Sequence, residues 1–327
     1  MHRPPAATIV TRISWILAGL LSAGCQSQAG SAEAVPGADS RSGADITLPA
    51  AQSSPDKATG SVTFIGNATV LIRYAGMTIL TDPTFIHKHE QVSLGYGMHT
   101  TRLTDPAMDI RDLPPLDLIL LSHFHGDHFD QVAEEKLQKD LPIITTEHAS
   151  TELSDKGFTQ TIPLATWEST VVKKGEFQVQ ITSMPGKHGP GMVEAFLPTV
   201  MGSMLEFQTI QGQVTLRLYI TGDTLIHDDL KEIPNRYPNI DLALFHLGGT
   251  RIMGILLTMD AEQGVEAIHL INPREVIPIH YNDYEVFKSP LEEFKNAVAV
   301  AGLENRVRYL SHGETYEFET TAGGSTM

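Results

Sequence analysis

Between Ser122 and His128 the chain reads Ser-His-Phe-His-Gly-Asp-His, so three imidazoles and a carboxylate fall within six positions. Imidazole nitrogen and carboxylate oxygen are the donors that zinc and similar divalent ions take. Four such groups packed together make a poor core, because each needs a polar partner once it is buried. His123 and His125, two residues apart in an extended or looping segment, point the same way and can clasp one ion. The Asp127-His128 step, at a turn leading into a helix, can face a second. The run follows the apolar stretch 116–121, which reads as a buried strand. Ligands delivered from the C-terminal end of a central strand are placed as in an active site.

The elements that must hold this run can be read from the residue pattern. Strands are expected at 61–66, 69–74 and 77–81, with a turn at Ala75-Gly76. Further short strands are expected at 142–145, 171–172, 177–184, 203–207, 214–220, 241–245, 276–279, 307–310 and 315–318. A helix is expected over 131–139 with Asp130 as its N-cap. Asp260 and Gln263 are similar to a capping box before a second helix, with Pro273 just past its end. Ser289 and Pro290 open a third, which stops at Gly302. Residues 84–115, carrying His87, His89, Tyr96 and His99, read as a long loop able to overhang the site. The segment 191–203 is apolar for a loop, through Met192, Phe196, Leu197, Val200 and Met201, and reads equally as a substrate-facing wall or as buried packing. The order is a β-meander, mixed β and α, more β, then α-β-α. That makes an α+β chain of two sheets packed face to face with helices outside.

The 327 residues are 41% hydrophobic and carry a net charge of -16. The length allows one large domain or two small ones. The acidity argues against nonspecific nucleic-acid binding, which needs clustered Lys and Arg. Cys25 is the one cysteine, so no disulfide forms within the chain and no thiolate remains for a metal site in the folded domain. His2, Arg3 and Arg12, the apolar run 13–21 and the small residues Ser22-Ala23-Gly24 read as an export signal, too short for a membrane span. Leu21-Ser22-Ala23-Gly24-Cys25 resembles a bacterial lipobox, with Ser22 where Leu would match better. It implies a lipidated Cys25, a bacterial cell-envelope location and a lipid anchor in a membrane. Residues 26–60 are rich in Ala, Ser, Gly, Asp and Pro and read as a disordered tether. The expected organisation is a leader over 1–24, a tether over 25–60, a folded domain over 61–320 and a tail over 321–327.

The run His123-x-His125-x-Asp127-His128 resembles the signature of the metallo-β-lactamase superfamily, and the resemblance covers roughly residues 61–320. It implies a four-layer αβ/βα sandwich, the metallo-β-lactamase fold, with later ligands arriving from separate strand ends. Those match His188 in Pro185-Gly186-Lys187-His188-Gly189-Pro190, Asp223 in Ile220-Thr221-Gly222-Asp223-Thr224, and His280 after 276–279. The implied assignment gives His123, His125 and His188 to one metal and Asp127, His128 and His280 to a second, with Asp223 bridging. Two such ions about 3.5–4 Å apart share a hydroxide whose pKa falls toward ~7, and that hydroxide is the nucleophile. Zinc suits the donors, with manganese and iron as alternatives. The missing thiolate separates the chain from cysteine-ligand β-lactamases. Gly66-Asn67-Ala68-Thr69 and Leu80-Thr81-Asp82-Pro83 are similar to the branch that includes ascorbate-6-phosphate lactonase and N-acyl-phosphatidylethanolamine phospholipase D.

Other residues carry weaker expectations. Asp127, Asp223 and His246 are expected to be catalytic, His246 because it follows the apolar strand 241–245 and should end near the metals. Tyr281, Asn282 and Asp283, directly after His280, are expected to bind substrate. Asp82 is a candidate partner for a metal-bound imidazole. The expected activity is metal-dependent opening of an ester-like bond in a small-molecule or lipid-like substrate. A lactone or carboxylic ester stands ahead of a phosphodiester, because an acidic chain without a basic patch opposes polyanions. The alternatives are a phosphodiesterase of phospholipase D type and a non-catalytic envelope metal-binding protein. The sequence does not set the oligomeric state.

Overall fold

The computed structural model describes residues 45–50 and 59–320; the expected leader, Cys25, most of the expected tether and the tail at 321–327 lie outside the described residues. Two seven-stranded sheets form the frame. In spatial order the first holds Thr315–Glu319, Thr59–Gly66, Thr69–Tyr74, Met77–Thr81, Leu118–Leu120, Ile143–Thr145 and Thr161–Pro163. The second holds Ile46–Leu48, Ser169–Lys174, Phe177–Met184, Gly202–Thr209, Val214–Ile220, Leu242–His246 and Glu275–Ile279. Among the described residues five α-helices complete it: α1 (Gln131–Lys136), α2 (Glu147–Asp155), α3 (Glu232–Arg236), α4 (Ala261–Ile271) and α5 (Leu291–Ala301).

Strand periodicity explains the layering. Side chains alternate faces along a strand, so a strand buried on both sides must be apolar throughout. Val70 and Ile72 enter the core between the sheets together with Val179, Ile181, Leu218 and Ile277. Leu71, Ile119 and Ile143, one step off in register, face the other way and pack with Ala133 of α1 and with Ala149 and Leu153 of α2. On the second sheet Tyr219, Ala243 and Val276 likewise turn outward onto Ile268 of α4 and Phe294 and Val298 of α5. The result is helix, sheet, sheet, helix: the four-layer α+β sandwich expected for the metallo-β-lactamase fold.

Local signals set the helix ends. Asp130 accepts from the backbone N–H of Val132 and Ala133 with one oxygen and from Phe85 and Ile86 with the other, capping α1 while fastening the start of the 84–115 segment to it. Asp260 caps α4 through the Gln263 N–H, and Asn272 ends it in the left-handed region, φ 52°. Gly302 closes α5 in the same way.

Several expectations are corrected. Ile46–Leu48 lies inside the stretch read as tether, yet it pairs in parallel with Ser169–Lys174, where Ile46 and Leu48 pack against the core edge. The 84–115 segment is not simply a loop: it carries a hairpin of Gln91–Ser93 and His99–Thr101 and a short 3-10 turn at Ile110–Asp112. The helix expected to reach residue 139 ends at Lys136. Residues 307–310 form no strand; Val307 makes an isolated bridge to Val276. α2, capped by Thr146, was not expected, because its short polar sequence carries only a weak apolar stripe. The apolar stretch 191–203 divides: Met192 and Phe196 are exposed on the 3-10 turn Gly191–Phe196, while Val200 and Met201 are buried. Among the described residues no helix is long and apolar enough to cross a membrane.

Candidate metal centre

The strand Leu118–Leu120 delivers the first ligands. Beyond it the chain turns tightly, with His128 and Phe129 N–H both donating to the His125 carbonyl. Gly126 lies against the Gln91–Ser93 strand and donates to the Ser93 carbonyl at 2.9 Å. A Cβ here would sit 2.6 Å from that oxygen, so only glycine permits the approach. The second sheet supplies the rest from three strand ends: His188 after Phe177–Met184, Asp223 after Val214–Ile220 and His280 after Glu275–Ile279. Gly222 (φ 62°) makes the turn before Asp223, where a Cβ would sit 2.5 Å from the Met201 carbonyl oxygen. His280 and Asp82 are non-glycine residues at φ 60° and 33°, in backbone conformations that persist only where the surroundings impose them.

The seven expected ligands converge. Nε2 of His123 lies 3.1 Å and Nε2 of His188 3.4 Å from Nδ1 of His125. Those spacings match the edge of a tetrahedron around an ion with bonds of about 2.0–2.1 Å, which is ~3.3 Å. Beside this triad, Nε2 of His280 is 3.6 Å from Asp127 Oδ2 and 3.5 Å from Asp223 Oδ1. Nε2 of His128 is 3.5 Å from Asp223 Oδ2 and 3.9 Å from Asp127 Oδ2. Candidate ligand atoms group as His123/His125/His188 and as Asp127/His128/His280, and a third set, His123/His128/Asp223, spans the two.

The donor set passes a chemical test for metal. Asp127 Oδ1, His128 Nε2, Asp223 Oδ1 and His280 Nε2 are all buried and have no hydrogen-bond partner. Buried polar atoms of native proteins are paired with few exceptions, and four orphans in one cluster define the place of a shared partner. The far side of each ring is meanwhile fixed. Nδ1 of His188 donates to the Leu257 carbonyl at 3.2 Å and Nδ1 of His280 to the Leu247 carbonyl at 3.1 Å. Nδ1 of His128 donates to Asp82 at 3.0 Å. Each bond holds the tautomer that leaves Nε2 free to ligate.

Asp82 sits at the hub of this outer layer. Its Oδ1 accepts from the Ser122 N–H at 2.7 Å; its Oδ2 accepts from Ser122 Oγ at 2.9 Å, His128 Nδ1 and His246 Nε2 at 3.2 Å. Burial by itself would raise the Asp82 carboxyl, but the bond and charge of His128, then those of His246, override burial and hold it lowered. Thr258, between the Ile255–Leu256 strand and α4, donates to Asp223 Oδ2 at 2.7 Å.

Electrostatics divides the imidazoles. Burial, then the neighbouring His128, holds His123 well below its ordinary value, and burial with His188 takes His125 down to about 3. His128 and His280 are raised: burial opposes the charge, and Asp223 and Asp127 outweigh it. The metal-free centre therefore sets three imidazoles that resist protonation beside two, His128 and His280, whose protonation the facing carboxylates favour. Ligation requires those protons to leave.

His246 is fully buried behind Asp82, with its N–H and ring both on Thr221 Oγ1 at 2.9 and 3.3 Å. It faces the outer layer and not an open surface. Tyr281, Asn282 and Asp283, expected to bind substrate, each make a hydrogen bond within the fold. Tyr281 donates to the Leu310 carbonyl at 3.2 Å, and Asn282 accepts from the Leu291 N–H. Asp283 is buried and accepts from the Asn67 N–H at 2.8 Å and from Thr104. Tyr281 and Asp283 are buried on these partners, while Asn282 is exposed. Thr258 carried no sequence signal, since an isolated threonine after a short hairpin resembles any other. A cavity of about 700 Å³ lies on the outer flank of the His188 loop, lined by Lys187 and His227 among others and by none of the seven ligands.

The model of the beta-lactamase superfamily domain matches residues 77–281. The chain belongs to this family. It is 28% identical over 211 residues to a UPF0173 metal-dependent hydrolase of Pyrococcus abyssi, covering 63% of this chain and 83% of the relative. A UPF0173 metal-dependent hydrolase of Archaeoglobus fulgidus is 29% identical over 202 residues, 62% of this chain and 82% of the relative. In fold it is similar to an isothiocyanate hydrolase from Delia radicum gut bacteria, with a TM-score of 0.67 at 20% identity, over 79% of this chain and 99% of the other. It is also similar to Igni18, a metallo hydrolase of Ignicoccus hospitalis, with a TM-score of 0.58 at 24% identity, over 80% and 99%. This superfamily member is thus a metal-dependent hydrolase carrying candidate His/Asp ligand groups.

Proposed function

We propose that the centre holds two divalent ions, zinc in the first instance, and hydrolyses a carboxylic ester or lactone. One observation supports the binuclear reading above the rest: the grouping of His123, His128 and Asp223 joins the two ligand triads, and three buried ligand atoms of the Asp127/His128/His280 triad together with Asp223 Oδ1 have no hydrogen-bond partner. When bound, such an ion pair supplies Lewis acidity and lowers the pKa of water toward ~7. The chain's own residues do the positioning. His123, His125 and His188 would hold one ion, Asp127, His128 and His280 the other, and Asp223, grouped with His123 of the first set and His128 of the second, would be shared between them. Asp82 and the carbonyls of Leu247 and Leu257 hold the rings in the ligating tautomer, Thr258 steadies Asp223, and His246 steadies Asp82. His246 thus acts as a positioning residue. The ester preference rests on charge: at -16 the chain disfavours a polyanionic substrate. The export signal and Cys25 support a further proposal, a lipid-anchored protein of the bacterial envelope. In that case Cys25→Ser releases the protein from the membrane fraction.

The test is metal analysis of the purified protein followed by a panel of lactones, carboxylic esters, phosphodiesters and isothiocyanates. Two equivalents of metal with ester or lactone turnover is expected. A single equivalent refutes the binuclear reading, and turnover of bis(p-nitrophenyl) phosphate alone refutes the ester. Bound metal without turnover of any substrate would leave a metal-binding protein. Asp223→Ala is expected to lose metal and activity together; full activity in that variant sinks the assignment.

A further inference from the structure

Large apolar side chains are scarce on this surface, and they are not scattered. Eight are exposed among the described residues: Tyr96, Leu103, Met192, Phe196, Ile210, Met253, Ile255 and Val300. Five of these, all but Leu103, Ile210 and Val300, lie on three short segments, and each segment is fastened directly to a metal-ligand loop. Tyr96 tips the hairpin whose Ser93 carbonyl receives Gly126 of the His123–His128 run. Met192 and Phe196 stand on the 3-10 turn that begins three residues after His188. Met253 and Ile255 belong to the small hairpin of Arg251–Ile252 and Ile255–Leu256, and the adjoining residues bond His188 through the Leu257 carbonyl and Asp223 through Thr258.

The tips project. Tyr96 is 78% exposed, Met192 87% and Met253 96%. A Cβ placed on the adjacent Gly95, Gly97, Gly191 or Gly254 would find no atom within 4 Å. Clustered apolar exposure marks an interaction surface, whereas single exposed residues need no explanation. Separate, glycine-flanked protrusions on three segments offer no continuous face for a rigid partner. A fluid interface accommodates each of them independently.

We propose that Tyr96, Met192, Phe196 and Met253 form a rim that seats the metal centre against a zwitterionic phospholipid bilayer. The substrate is then an amphiphile held in that surface, with its hydrolysable polar group presented to the ions. The inference rests on the proposed envelope anchoring and deepens the ester-hydrolase reading. Cys25 precedes the first described residue, Asp45, by 20 positions, a length that spans at most about 70 Å, so an anchored chain stays within reach of its own membrane. The net charge of -16 favours a zwitterionic surface over an anionic one.

The test uses the full chain with Cys25→Ser, so that one introduced cysteine at a time carries an environment-sensitive fluorophore: Met192→Cys, Met253→Cys or, as a control, Val300→Cys. Val300 is 91% exposed on α5, away from the metal loops. With phosphatidylcholine vesicles, a blue shift is expected at 192 and 253 and none at 300. In the same Cys25→Ser background, replacing Tyr96, Met192, Phe196 and Met253 together by serine is expected to weaken vesicle partitioning at least tenfold. No shift at 192 or 253, an equal shift at 300, or unchanged partitioning overturns the proposal. Turnover of a soluble short-chain ester by the parent tests the hydrolase reading separately, so either can fail without the other.

Discussion

Replacing Asp82 by asparagine changes the chemistry of one atom and almost none of its volume. Asp82 accepts four hydrogen bonds, one at Oδ1 and three at Oδ2. An amide keeps only one acceptor oxygen. Placed at the Oδ2 position, that oxygen still serves Ser122 Oγ, His128 and His246, but the amide N–H then faces the Ser122 N–H. Placed the other way, it confronts three donors, so the first orientation wins. The variant therefore leaves two buried donors facing each other unpaired, the Ser122 N–H and the new amide N–H, each costing about 1–3 kcal/mol of metal-free stability. The bond to His128 also loses its charge assistance, which roughly halves it. Partners of metal-bound imidazoles typically contribute 10–100-fold to affinity, about 1.4–2.8 kcal/mol, and this loss is expected of Asp82→Asn. Chelator competition measures it directly, and near- and far-ultraviolet circular dichroism confirm the fold. A dissociation constant within twofold of the parent would show that Asp82 does not position His128. A normal affinity for one equivalent and a weakened second would locate the effect at the Asp127/His128/His280 triad.

Acid should expel the metal. His128 and His280 are raised by Asp223 and Asp127, so both hold their protons to higher pH than a free imidazole, and affinity climbs with pH until their raised values are passed. Affinity is expected to rise with pH by up to about tenfold per pH unit for each proton displaced, and equal affinities across the titration would refute the assignment. Stability follows a second acid limb: the lowered carboxyls of Asp82, Asp127 and Asp223 stabilise the fold above the unfolded carboxylate range near ~4, and this is lost as pH falls through their folded values. Gly126→Ala is expected to cost about 1–3 kcal/mol in urea denaturation, because its Cβ meets the Ser93 carbonyl and Val92 Cβ at 2.6 and 2.8 Å. Metal at 100 times its dissociation constant should raise the unfolding free energy by about 2.7 kcal/mol, and an unchanged melting temperature would mean that the ions do not prefer the folded chain.

The ligand loop was legible because its chemistry is dense: three imidazoles and an aspartate in six positions have no economical use in a core. His188, Asp223 and His280 are single residues at strand ends, and only the family pattern picks them out from His227, Asp241 or His269. The sandwich was legible from apolar alternation, which registers as runs such as Leu242–His246. What escaped depends on contacts between distant residues. Thr258 meets Asp223, the Ile46–Leu48 strand needs the exposed edge of Ser169–Lys174, and Tyr281 and Asp283 find their partners at Leu310 and Asn67. Sequence position alone placed Tyr281 to Asp283 beside a ligand; the partners that bury Tyr281 and Asp283 lie far along the chain.

The ligands of one centre come from both sheets, with 157 positions between His123 and His280. Neither sheet alone owns a complete triad: His123 and His125 wait for His188, and Asp127 and His128 for His280. Closing the site is thus a late event in folding, after synthesis has passed His280 and the two sheets have docked. A nascent chain offers an ion at most the partial set on one loop. Under the proposed metal assignment, the completed ligand set first meets its ions in the compartment where the sheets dock, and not at the ribosome. Two pools of this one polypeptide, folded in different ionic settings, are then expected to differ in the metal they first take up, which metal analysis of each pool reads.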